Sequence, residues 1–287
     1  MIPLLLSILS SSLIFVIFKL FQRFKIDTFQ AIVVNYFMAC LIGISFYGDT
    51  WNEKCLENTS WIPFVFLCAV LFLGLFLIIG RSSQLNGVAS TSVAVKMSMA
   101  VSLILMIVGY GEDLNALKIL GIAFAFIGVY LVSTSRGSKQ KNTHVWMLLV
   151  LFITCGGFDF LLSYVQDNQL TSITPALFSA IGLGLAGILG LIILIIQLIR
   201  GKTKFAFKNV IAGLILGIPN FFSIYLLLLS YQSTGWENSK VLAITNVSVV
   251  LLSALFGFIV FKESATRMKL IGLMTAILAI VTLYFAT

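Results

Sequence analysis

The sequence predicts an all-α polytopic membrane protein with ten transmembrane helices in a 5+5 inverted repeat. Three observations predict it: too little charge to cover a soluble globule, ten long apolar runs, and a second half that echoes the first. Of 287 residues, 60% are hydrophobic and 10% are charged, and the mean hydropathy is +1.10. Soluble domains carry about 25% charged residues, because a water-facing surface has to be covered by them. Much of this chain's surface must therefore face lipid.

A helix needs roughly 20 apolar residues to cross a hydrocarbon core about 30 Å thick. Such runs cover 2–21, 28–47, 61–80, 88–110, 114–133, 145–165, 174–199, 209–231, 238–261 and 268–286. They are continuous rather than alternating, and membrane β-segments are only about 10 residues long, so strands are not expected. The first run lacks a basic n-region and a small-residue cleavage site, which reads as a span and not as a signal peptide. The longest connections, 48–60 and 134–144, leave no room for a soluble domain. Trp51, Trp61, Trp146 and Trp236 fall in loops or near span ends, where indole rings favour the headgroup level.

Lysine and arginine orient the spans. Alternate connections hold Lys19, Arg23 and Lys25; Arg81; Arg136, Lys139 and Lys141; Arg200, Lys202, Lys204 and Lys208; and Lys262, Arg267 and Lys269. Those are fourteen of the 18 basic residues; the opposite side has Lys54, Lys118 and Lys240, and Lys96 lies inside a span. The positive-inside rule makes the fourteen-residue side cytoplasmic and puts both termini outside. The net charge of +8 is thus spread over loops, which argues against a nucleic-acid partner. Cys40, Cys55, Cys68 and Cys155 have no C-x-x-C spacing, and His144 is the only histidine. A multi-histidine metal cluster is excluded, and no cofactor is expected.

The repeat is legible in three places. Gly111-Glu112 through Lys118 and Gly121 lines up with Lys262-Glu263 through Lys269 and Gly272 at a fixed offset of 151 residues. Lys96-Met97-Ser98 aligns with Asn246-Val247-Ser248 at an offset of 150, and 4–22 with 148–166 at 144. The expected halves are 1–140 and 141–287. Five spans per half is odd, so the halves enter the membrane in opposite directions, a recurrent plan of secondary transporters.

With these motifs the chain resembles the EamA-type drug/metabolite transporter superfamily. Its members have ten spans in two homologous halves, each ending in a glycine–glutamate turn followed by a helix with an early glycine. Gly111-Glu112 with Gly121 matches that pattern; Lys262-Glu263 with Gly272 departs from it by a lysine before the glutamate. The resemblance implies a carrier of small metabolites such as amino acids. It also implies cytoplasmic termini, and there the loop charges of this sequence point the other way.

A charge near the bilayer centre costs roughly 2.5–3.5 kcal/mol on insertion scales, so charged residues inside spans are candidate functional groups. Two clear cases occur, Lys96 and Asp159, and their signs are opposite. Lys96 lies roughly 12 Å and Asp159 roughly 21 Å from the basic ends of their spans. Both are expected to face a cavity between the halves, with Lys96 suited to a carboxylate or phosphate and Asp159 to an amine or a coupling proton. The alternative is a permanent ion pair or a lysine snorkelling to the interface. A second, uncharged tier is Asn35, Tyr36, Ser98, Asn220 and Asn246, the last being the repeat-mate of Lys96. Pro219, mid-span beside Gly217 and Asn220, marks either a hinge or a packing kink. Gly182, Gly184, Gly187 and Gly190 look like a seam for close helix packing.

These features favour a secondary carrier by alternating access, driven by a proton gradient with Asp159 as coupling group. Its partners are a small-molecule substrate and the lipid bilayer of a cell membrane, a bacterial inner membrane being the expected one, with a homodimer left open. No G-x-x-x-x-G-K-[ST] loop occurs. An intramembrane enzyme would need a paired carboxylate, an activated nucleophile or a metal site, and a channel would want a ring of like groups.

Overall fold

The computed structural model describes residues 2–47, 59–111, 114–134, 144–168, 174–233 and 238–286. The expectations for Trp51, Trp236, Cys55, Glu112, Arg136, Lys139 and Lys141 lie outside the described residues. The helices are α1 (Ile2–Arg23), α2 (Thr28–Tyr47), α3 (Ile62–Leu85), α4 (Val88–Met97), α5 (Met99–Tyr110), α6 (Ala116–Thr134), α7 (Val145–Asn168), α8 (Pro175–Ile199), α9 (Phe207–Ser233), α10 (Asn238–Ile259) and α11 (Arg267–Ala286). Among the described residues nine helical spans are long and apolar enough to cross a membrane, α4 and α5 counting as one, and α10 adds the apolar stretch Ile244–Ile259. The protein is a multi-pass helical membrane protein.

Local chemistry explains the differences from the runs read in sequence. α3 runs five residues past the apolar stretch because its polar tail is satisfied inside the protein. Ser82 Oγ meets Thr91 Oγ1 at 2.8 Å, Gln84 Nε2 donates to Thr28 Oγ1 at 2.7 Å, and the Asn86 N–H caps Ser82 O at 2.7 Å. The fourth span stays one membrane-length stretch, Val88–Gly109, with a one-residue turn at Ser98 dividing α4 from α5 while the Ser98 backbone remains right-handed at φ −54° and ψ −21°. Helix α9 passes through Pro219 as one helix, so no break lies there. Trp61, at the N-terminal end of α3, is covered by protein rather than exposed: it is 4% exposed and meets Phe178 edge-on. Trp146, at 56% exposure, fits the interfacial reading.

The repeat-related turns share a backbone conformation despite different residues. Gly111 has φ 69° and Lys262 φ 50°. The left-handed region costs a side chain roughly 1–2 kcal/mol, which the lysine bears and the glycine does not. Each turn then leads into a helix capped alike, with Asn115 Oδ1 accepting from Lys118 N–H and Thr266 Oγ1 from Lys269 N–H.

The principal helix contacts are α6 with α11, α2 with α8 and α9, α1 with α9 and α10, α3 with α7 and α8, α4 with α10, and α5 with α7. Small residues permit the closest of them. A β-carbon on Gly128 of α6 would lie 3.0 Å from the Ala276 nitrogen and 3.1 Å from the Gly272 oxygen of α11. The glycine row of α8 meets α2: added β-carbons on Gly184 and Gly190 would lie 2.7 Å from Cys40 Sγ and 2.8 Å from Val33 Cγ2. That seam is a packing device, as small-residue interfaces in membranes usually are.

The turns expected on the basic side do meet on one face. Asp27 N–H donates to Asn209 Oδ1, Lys208 Nζ to Lys25 O at 2.8 Å, Lys19 Nζ to Gln84 O at 2.7 Å, and His144 N–H to Asn86 Oδ1 at 2.9 Å. If this face is cytoplasmic, alkaline phosphatase fused after residue 286 should be active in a bacterial host and a fused fluorescent protein dark. The reverse pair of readings would invert the orientation.

Candidate functional site

Asp159 sits in the second half of α7, where the lipid-facing stripe is marked by Trp146, Leu149, Ile153 and Tyr164, at 56%, 46%, 59% and 36% exposure. At about 100° per residue, Asp159 lies about 120° round the helix from that stripe. It shares its side of α7 with buried Leu148, Phe152 and Cys155. Yet Asp159 itself is exposed. Its carboxylate therefore lies off the lipid-facing stripe, on the side of α7 that packs into the bundle.

The wall facing it is the α4–α5 turn. Gly156, one turn before Asp159, lets α7 approach so closely that an added β-carbon would lie 2.5 Å from Ser98 O and 2.6 Å from Val101 Cβ. Lys96, half-buried at the end of α4, lies within attractive range of Asp159, and the Ser98 hydroxyl is beside the same carboxylate. Ser98 Oγ also donates to Val95 O at 2.6 Å, tying it to the last turn of α4. The opposite charges singled out in the sequence are thus brought together. An exposed carboxylate, a half-buried ammonium group and a buried hydroxyl neighbour one another in mid-span.

The second tier divides. Asn246 adjoins this spot: its Nδ2 lies 3.7 Å from Met99 Sδ, the first residue of α5. Asn35 and Asn220 belong to another locus, where Asn220 Nδ2 donates to Asn35 Oδ1 at 3.2 Å between α2 and α9. Ser7 Oγ joins it from α1 by donating to Ser223 O at 2.9 Å. Asn35 Nδ2 is buried with no hydrogen-bond partner. Tyr36 is fully buried and donates its hydroxyl to Phe72 O, a bond between α2 and α3. Replacing Asn220 with alanine should cost only about 1 kcal/mol, the usual scale for one hydrogen bond between membrane helices. Thermal denaturation in detergent measures it.

Sequence reasoning missed how deeply the charges at the span ends are buried. Lys118 and Lys269, both assigned to span ends, are 8% and 6% exposed. Lys269 Nζ pairs with Glu263 Oε2 at 2.9 Å, and those side chains are 8% and 9% exposed. The fixed offset of 151 residues, which repeats both the lysine and the glutamate, was the available signal. No group of three or more metal-ligating side chains occurs among the described residues.

Comparison with known proteins places this arrangement. An uncharacterized protein of Haemophilus influenzae is 26% identical over 291 residues, covering 98% of this chain and 97% of that one. A probable glucose uptake protein, GlcU, of Priestia megaterium is 27% identical over 242 residues, covering 78% of this chain and 79% of its own. A protein of known crystal structure has the same fold, with TM-score 0.62 at 12% identity over 99% of this chain and 96% of that one. The EamA-like transporter family matches residues 1–134, the stretch carrying the first five spans and the Gly111-Glu112 turn. The first 134 residues of this multi-pass helical chain are thus similar to the EamA-like transporter family.

Proposed function

We propose that this chain moves a small polar metabolite by alternating access, with Lys96 and Asp159 binding it at the middle of the membrane. The observation carrying the proposal is two opposite charges within attractive range of each other in mid-span, Asp159 exposed and Lys96 half-buried. A charge held there costs several times the thermal energy, which only a bound partner or a moving one offsets. A zwitterion such as an amino acid fits best: its carboxylate takes the Lys96 ammonium, and its amine takes Asp159. A proton can replace that amine on Asp159 between transport steps, coupling flux to the proton gradient.

The moving parts are the two five-helix halves, 1–140 and 141–287. The contact pattern supports this division. Exchanging each span for the one five further along turns α2–α9 into α3–α8, α1–α9 into α3–α7, and α1–α10 into contacts of α7 with α4 and α5; α2–α8 and α6–α11 map onto themselves. A pseudo-two-fold assembly of this kind can rock about its central site.

A sugar is the second reading, favoured by the glucose uptake protein among the relatives. Asp159, Ser98 and Asn246 would then accept and donate hydrogen bonds to hydroxyl groups. Counterflow in proteoliposomes loaded in turn with amino acids and with glucose tests both. Saturable exchange of an amino acid supports the first reading; exchange of glucose alone replaces it with the second. Non-saturable leakage of both would contradict a carrier.

A further inference from the structure

We propose that Glu263 is the latch that keeps the basic face closed, and that it positions α4, and with it Lys96, by clamping that helix's first turn. The proposal builds on the alternating-access reading. α4 begins at Gly87, which has φ 93° and offers no side chain to cap the helix. The missing cap comes from across the molecule: Glu263 Oε1 accepts the Val88 N–H at 2.6 Å. A helix N-terminus carries unsatisfied N–H groups and a partial positive charge, so a carboxylate there is held by both.

The other carboxylate oxygen binds Lys269 Nζ at 2.9 Å, in the first turn of α11. Lys19 of α1, which donates to Gln84 O at the end of α3, lies within attractive range of the same carboxylate. The Glu263 carboxylate thus joins α4 of the first half to α11 of the second, with Lys19 of α1 drawn towards it. Space is shaped for it on both sides. A β-carbon on Gly87 would lie 2.6 Å from the Glu263 carboxyl group, and one on Gly257 would lie 2.9 Å from its Oε2. The strained φ of 50° at Lys262 turns the chain so that the next residue points beneath α4, with Glu263 N–H returning to Gly257 O at 2.9 Å.

Opening the basic face requires α4 to part from α10 and α11, and this bond spans that seam. Lys96 is eight residues on from Val88 in the same ten-residue helix, so the clamp fixes its height as well. When the clamp holds, Lys96 stays within attractive range of Asp159 and the basic face is shut. Releasing it lets α4 move as a rigid unit, with Ser98 as the turn behind it. Charge-assisted hydrogen bonds are the stronger class, so losing them shifts the balance of the two states measurably.

The test is a reporter cysteine at Ala89, buried at 2% exposure against Gly257, in a chain with Cys40, Cys55, Cys68 and Cys155 changed to alanine. Its modification by an impermeant maleimide applied from the basic face, with no solute present, should quicken about tenfold in Glu263→Ala and Lys269→Met. Glu263→Gln keeps the shape and should give a smaller increase. Deuterium exchange at residues 88–91 of the otherwise unaltered chain should rise in Glu263→Gln and supplies the answer if the cysteine-free background folds poorly. Rates within about twofold of the parent, with unchanged exchange, would overturn the latch. Neither readout needs transport, so accelerated labelling supports the latch even if the carrier reading of the site fails.

Discussion

Replacing Asp159 with asparagine, or Lys96 with methionine, is expected to lower transport by about 100-fold or more while the protein still folds. Either change leaves one charge at mid-membrane without its partner, which is strongly unfavourable where water is scarce. It also removes one of the two charges that grip the substrate, a loss of about 1.5–3 kcal/mol for each charged hydrogen bond. The double variant separates the roles. If the pair only fixes α4–α5 against α7, removing both charges restores packing, and flux recovers with stability. If the pair binds substrate, stability recovers and flux does not. Counterflow at matched protein loading, with thermal denaturation on the same preparations, gives the two readings together.

Substituting leucine for Gly128 is expected to prevent the folded protein from accumulating. The helices α6 and α11 meet there through backbone atoms, with Ala276 N and Gly272 O 3.0 Å and 3.1 Å from where the β-carbon would go. Backbone cannot give way as a side-chain tip can. Overpacking a core costs about 1–3 kcal/mol when side chains can shift and more when they cannot, against a total stability of about 5–15 kcal/mol. Gly157 is the control, for a β-carbon there meets nothing within 4 Å. Gly157→Leu should give a monodisperse peak on size-exclusion chromatography and Gly128→Leu aggregate.

Apolar run length and alternating basic turns were enough to read the ten spans, because the hydrocarbon core sets both. Lys96 and Asp159 stood out for the same reason: nothing else charged lies so deep in an apolar run. The turn at Ser98 was hidden because neither glycine nor proline marks it, whereas Pro219, read as a hinge or a packing kink, lies inside an unbroken α9. For Tyr36 and Asn35 a sequence gives depth without direction, which leaves helix packing and a cavity equally open. Tyr36 turns out to bind Phe72 O, and Asn35 to bind Asn220. Glu263 was visible as a repeated residue, but its place under α4 depends on a contact 175 residues away.

Accessibility of position 159 to a water-soluble reagent decides whether the paired charges line an aqueous path. With the native cysteines removed, Asp159→Cys in intact membranes should react with an impermeant methanethiosulfonate from the face opposite the basic turns. A transported solute at saturating concentration should slow that reaction if it still binds through Lys96. Modification from that face, and not from the basic one while Glu263 is intact, is the expected result. Reaction only with a lipid-soluble maleimide would place Asp159 against lipid and reduce its pairing with Lys96 to a packing contact.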